Sequence, residues 1–198
     1  MISNERKAEI ERIACATFPF ERGIPAKKLE TIIYKEGLWF SEIDSGKEFL
    51  GALVKVGEYP LHIYVNKAIT PIGRKNFTIA HELGHFKLGH HLHSPVIYCK
   101  KIKENDEQVS QQEDEASYFA RCYLMPKEKI EKEFTKWFKW RVSQYGKVFL
   151  LVEPRGKQWQ LWKAVESNLT EHFVVSKRAL KIRLAELGLI NNFSHKDY

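Results

Sequence analysis

The sequence predicts an α+β fold: a small sheet enclosed by helices, followed by a mainly helical, basic C-terminal third. Three observations predict it. Strand-like runs separated by turn signals cluster at residues 37–65. Apolar residues at helical spacing fill most of the chain on either side. The charge is also divided. Of a formal net charge of +7, residues 1–126 contribute nothing, with 17 Lys and Arg against 17 Asp and Glu, whereas residues 127–198 hold 15 against 8. Four of the five tryptophans, Trp137, Trp140, Trp159 and Trp162, lie in that second part. A boundary at Pro126 therefore separates a core, 1–126, from a C-terminal subdomain, 127–198.

Each element has its own signal. Ala8, Ile10, Ile13 and Ala14 give residues 3–17 an amphipathic helical period, with Ser3 or Asn4 as cap. Pro19 and Pro25 mark a loop, and residues 27–35 suit a short helix or a strand. Gly37–Phe40, Phe49–Val56 and Leu61–Val65 read as strands, with turns at Asp44-Ser45-Gly46 and Val56-Gly57-Glu58. Pro71 opens a helix that runs through Phe77, Ile79, Ala80, Leu83 and Phe86. Residues 91–109 read as a loop, and Gln112–Leu124 as a helix. After Pro126 a further helix carries Ile130, Phe134 and Trp137. Residues 146–165 are mixed, with a strand at Val148–Val152, and Ser176 caps a last helix that Gly188 ends.

Composition excludes several classes. A chain of 198 residues, 43% hydrophobic and 29% charged, is neither fibrous nor disordered and can bury one good core. No apolar run reaches the length of a membrane span, and the N-terminus lacks the apolar stretch of a secretory signal. Three scattered cysteines, Cys15, Cys99 and Cys122, do not make a disulfide framework, so a reducing cytoplasm is expected. A basic, aromatic-rich C-terminal third suits an acidic protein face or nucleic acid, and a protein partner is favoured.

The chemistry concentrates at His81-Glu82-Leu83-Gly84-His85. Two histidines four apart on a helix differ by about 40° around its axis, so both imidazoles reach one point. This is the HExxH arrangement of zinc peptidases, in which Glu82 holds a water at the metal and not the metal itself. Gly84, poor for a helix, suggests space left beside the metal. A catalytic zinc needs a third protein ligand and one open position. Glu113-Asp114-Glu115, leading into an apolar helix face, is its best source. Glu113 and Ser117 share a face, which favours Glu113, with Glu115 as the alternative; the unused acids suit a helix N-terminus. His90, His91 and His93 follow the motif helix and could bind substrate or steady the transition state, with His90 a candidate either to support the metal ligands or to contact substrate. His62 reads as structural. Tyr98 and Arg121 are candidates for oxyanion stabilisation. Cys122 reads as core.

These residues carry a resemblance. Ile63-Tyr64-Val65-Asn66, Phe77 through His85, and Glu113 through Ala120 followed by Leu124-Met125-Pro126 together resemble the ImmA/IrrE family of zinc metallopeptidases. The resemblance implies a zincin-like core, a small antiparallel or mixed sheet with a motif helix and a ligand helix. It implies one Zn2+ per chain held by His81, His85 and Glu113, with Glu82 as general base. Ser117 stands where the family pattern usually has Asn or Asp, a position that partners a ligating histidine. Phe173-Val174-Val175-Ser176 through Leu184 continues the likeness and also looks like the second helix of a helix-turn-helix. The expectation is a zinc endopeptidase that acts on a protein substrate, a helix-turn-helix repressor of a mobile element or stress operon. Leu61–Val65 is expected to offer an edge for an extended substrate. The rival expectations are a zinc-containing module that sequesters a repressor without cutting it, and a DNA-binding regulator.

Overall fold

The computed structural model describes residues 2–18, 23–46, 48–92, 96–100, 107–136, 150–151 and 157–191. Helix α1, Asn4–Thr17, is capped by Ser3, whose Oγ accepts from the Arg6 amide at 3.2 Å. A 3-10 turn, Pro25–Lys28, leads into the short helix α2, Leu29–Lys35, so this ambiguous stretch is helical. Three strands follow: β1, Trp39–Ile43, β2, Phe49–Val54, and β3, His62–Asn66. The motif helix α3 spans Ile72–Lys87 behind Pro71. A 3-10 turn at His90–Leu92 then leads to strand β4, Val96–Lys100, and to the ligand helix α4, Glu107–Leu124.

The stretch 91–109, expected to be a loop, has regular structure at its described residues 96–100 and 107–109. It supplies a fourth strand and the first turn of α4. Pro95 and the lysine-rich tract after it mask a strand too short for alternation to show.

The sheet is mixed, in the order β1-β3-β2-β4. β1 runs parallel to β3, pairing Trp39 with His62 through Ile43 with Asn66. β2 is antiparallel to both β3 and β4. This corrects the expectation for Leu61–Val65: β3 is an interior strand with both of its edges paired. The outer strands are β1 and β4. Asn66 locks the β1–β2 turn, its Nδ2 donating to the carbonyls of Ser45, Gly46 and Phe49 at 2.9–3.1 Å.

The C-terminal part contains α5, Lys127–Lys136, a short pair of strands, β5 (Leu150–Leu151) and β6 (Ile190–Asn191), and two helices, α6 (Lys157–Phe173) and α7 (Lys177–Glu186). The mixed reading of 146–165 missed the start of α6. Ser176 caps α7, accepting from Ala179 N at 3.2 Å, and Gly188 turns away from it at φ +66°. Trp137 and Trp140 lie outside the described residues. One apolar cluster joins Ile10 and Ala14 of α1, Ile63 and Val65 of β3, Phe119 and Tyr123 of α4, and Trp162, Leu180 and Leu184 of α6 and α7. Each of the buried Ile, Val, Leu and Phe side chains contributes about 1.5–3 kcal/mol by leaving water. The cluster crosses position 126 without a break.

Candidate metal centre

His81 and His85 lie on the buried face of α3, 3% and 0% exposed. Helix α4 crosses that face and brings Glu113 to them. The approach is close because residue 84 is glycine: a Cβ there would lie 3.0 Å from the Phe119 ring and 3.1 Å from the Ala116 carbonyl oxygen. Gly84 thus makes room for a helix, not for space beside the metal. Glu113, Ser117 and Arg121 follow one another four apart along α4 and line the cleft, and the adjoining Ala116, Phe119 and Ala120 are fully buried.

His81 Nε2 and Glu113 Oε2 are 3.1 Å apart, His85 Nε2 and Glu113 Oε1 3.2 Å, and the two histidine Nε2 atoms 3.0 Å. All three side chains offer ligand atoms within 4.8 Å of one another. Two donors held about 2.0–2.1 Å from one tetrahedral ion stand about 3.4 Å apart, so the triad fits a zinc ion to within a few tenths of an ångström. The donor chemistry fits too. Burial pushes the His85 imidazole down to about 4, which keeps it in the neutral, ligating form. Burial alone would raise the Glu113 carboxyl, but hydrogen bonds from His81 and His85 outweigh it and hold the group well below the usual carboxylate range.

Each histidine is steadied through its second nitrogen. Ser117 Oγ lies 3.2 Å from His81 Nδ1. His85 Nδ1 lies 2.9 Å from His90 Nδ1, and His90 Nε2 lies 3.5 Å from Glu115 Oε2. Glu115 is held in turn by Arg6 of α1, at 2.6 and 2.9 Å, and by Gln111 at 3.1 Å. Glu115 therefore faces α1 and is occupied there. Nor does it sit at a helix N-terminus, because α4 begins six residues before Glu113. His90 is 5% exposed, so it is a buried support of His85 and not a substrate contact. The sequence left His90 open between a support for the ligands and a substrate contact. The only local signal was a histidine five residues past His85, behind a glycine at φ +75°.

Glu82 is fully buried between α3 and β2. A Cβ on Gly51 of β2 would come within 3.0 Å of its Oε1 and 2.9 Å of Thr78 Cγ2, so Gly51 admits this carboxylate beside the sheet. A cleft of about 600 Å³ opens against His81, Glu113 and Ser117. It is walled by Leu50, by the first turns of α3 and by α7.

Arg121 lines this cleft, but its guanidinium is engaged by Glu186 of α7 at 2.8–3.2 Å, which removes it as a free oxyanion donor. Tyr98 falls on β4, opposite Ala52; its side chain, like that of Cys99, lies outside the described residues, as does His93. His91 packs on the Phe86 ring with centroids 5.4 Å apart. His62 is satisfied by Ser41 Oγ at 2.9 Å and stacks on Tyr64. Burial pushes the Cys122 thiol up to about 12, as suits a core residue.

A His-Glu-x-x-His helix crossed by a second helix above a small mixed sheet is the zincin-like arrangement, a metallopeptidase type of fold. The family described as IrrE N-terminal-like domain, Peptidase M78, matches residues 55–185, more than half of the sequence, and the chain belongs to it. No curated protein matches the chain significantly.

Proposed function

We propose that the protein is a zinc-dependent endopeptidase, and that its substrate is a helix-turn-helix repressor of a mobile element or stress operon. The observation that carries the enzymatic part is the convergence of His81, His85 and Glu113 on one point, with Glu82 in the turn between the two histidines and outside the triad. A site that is purely structural needs ligands but no general base. The substrate is supported by the family resemblance and by the excess positive charge of residues 127–198.

Zinc bound by the triad supplies a Lewis acid and acidifies the water it carries. The chain's own residues do the rest. Ser117 and His90 fix the two imidazoles so that both Nε2 atoms face Glu113. Glu82 takes the proton of the attacking water and delivers it to the leaving amine. The substrate runs through the cleft beside His81 and Ser117.

Glu82→Gln tests this. It keeps size but removes the base, so cleavage of the repressor falls by at least about 10²–10⁴-fold. Zinc content stays near one per chain, and the variant still binds the repressor. A sequestering module would behave differently. Wild type and Glu82→Gln would then silence the repressor equally, with no fragments from either.

A further inference from the structure

We infer that Arg6 of α1 is a positioning residue of the metal centre: through Glu115 and His90 it fixes the ring of His85, by a chain of hydrogen bonds that runs in one direction. The inference rests on metal binding at the triad and goes beyond the peptidase reading.

The direction follows from the ligand. A neutral imidazole carries one proton, so a ring that binds metal through Nε2 holds its proton on Nδ1. His85 turns Nε2 to the triad and has its Nδ1 2.9 Å from His90 Nδ1. His85 therefore donates there and His90 accepts. Because Nδ1 of His90 must accept, its own proton sits on Nε2, the atom 3.5 Å from Glu115 Oε2. An ion-paired carboxylate can only accept, and a guanidinium can only donate. Glu115 Oε2 takes Arg6 Nε at 2.9 Å and Nη2 at 2.6 Å, and its Oε1 takes Gln111 Nε2 at 3.1 Å. The Arg6–Glu115 pair thus settles which nitrogen of His90, and through it which nitrogen of His85, carries a proton.

The two ligating histidines differ in this respect. His81 Nδ1 meets the Ser117 hydroxyl, 3.2 Å away on the ligand helix itself. His85 is held from another helix, one that precedes every residue of the family resemblance. Helix α1 packs on α4, and Arg6 carries that packing to the metal. The other pairing of Arg6, Nη1 with Glu9 Oε2 at 2.9 Å, runs along α1 and leads away from the centre. The Arg6–Glu115 pair borders an open cavity of about 280 Å³, with Leu88, Gly89 and Gln112 also in its lining. An uncharged residue 6 therefore leaves a polar space that water can enter, and the apolar core stays as it is. The first turn of α1 becomes a handle on zinc affinity.

The test loads the full chain with zinc and reads the metal. In isotope-labelled wild type, two-bond proton–nitrogen spectra should show His90 protonated on Nε2 alone, and His81 and His85 on Nδ1 alone. Arg6→Met keeps the stem and loses the donors, so zinc should be held about tenfold more weakly in competition with a chelator. Arg6→Lys should recover part of that loss. Glu9→Gln removes only the pair along α1, and Glu11→Ala cuts the tie of the same helix to Arg183 of α7. Both should leave zinc affinity within about twofold of wild type. A His90 proton on Nδ1 overturns the inference, and so does unchanged zinc affinity in Arg6→Met. Equal losses in Arg6→Met and Glu11→Ala overturn it too, because Arg6 would then serve fold stability alone. Where Arg6→Met does not fold, Arg6→Lys decides: a partial loss of affinity sustains the inference and wild-type affinity ends it. A wild type that takes up no zinc ends it together with the metal centre. Repressor left uncut by a protein with this pattern of zinc affinities would instead sink the peptidase reading alone.

Discussion

His85 shows how a single side chain is fixed from two directions. Its Nε2 faces the triad while its Nδ1 meets His90, behind which stand Glu115 and then Arg6. His90→Ala removes that support without touching a ligand, and competition with a chelator should show zinc affinity reduced about 10–100-fold. Replacement by Gln, which can still accept from His85, should recover part of the loss. Glu113→Gln should release zinc more completely than Glu115→Gln does, as read by metal content after gel filtration; the opposite order would overturn the placement of Glu113 at the ion. At this scale the sequence was legible where the relation is local. Four residues of helical spacing bring His81 and His85 together whatever the rest of the chain does. The Arg6–Glu115 pair spans 109 residues, and no periodicity announces a contact of that range.

Elements meet here through glycines. At Gly73 a Cβ would lie 2.4 Å from the carbonyl carbon of Val175 and 2.7 Å from Ser176 N, so the start of α3 touches the backbone of the α6–α7 turn. Asn76 Nδ2 donates to Val174 O at 2.9 Å in the same contact. Gly73→Ala should therefore lower stability by about 1–3 kcal/mol, measured by urea unfolding of the zinc-loaded protein, because backbone and not a flexible side chain must yield. Gly51→Ala acts at a different point. It presses on Glu82 and Thr78, so peptide cleavage should fall while zinc content persists; unaltered kcat would mean that the Glu82 carboxylate need not lie against the sheet. The helices were readable because their apolar period is long. The sheet was readable only as a set of strands. Nothing in residues 39–43 says that they pair in parallel with 62–66 and so deny β3 an open edge. The brief strand β4 was hidden behind Pro95 and charged residues.

Across the whole molecule, the two ends of the described chain are tied. Arg183 of α7, 1% exposed, is bound by Glu11 of α1 and donates to the Met125 carbonyl at 3.2 Å. Glu11→Ala leaves that guanidinium buried with its charge uncompensated, and should cost about 2–3 kcal/mol in chemical denaturation. Glu11→Gln combined with Arg183→Met should cost less than the sum of the two single changes. A division of charge at Pro126 was visible in composition, but the apolar cluster that runs past this point depends on which faces of α4, α6 and α7 meet, and composition does not encode that.

The position of α7 over α4 has a consequence for the order in which the protein becomes competent. Every ligand of the triad precedes residue 114, yet the helix that carries Glu113 is covered by Leu180, Arg183 and Leu184. At about 5–20 residues per second, synthesis reaches those side chains several seconds after Glu113 has been made. Until they arrive, the side of α4 that meets α7 stays uncovered, although its direct packing against α3 and α1 can already form. Residues 180–184 thus complete the packing around α4 after its contacts with α1 and α3 are in place. A nascent chain of this design therefore finishes covering the helix that bears Glu113 only once α7 has been made.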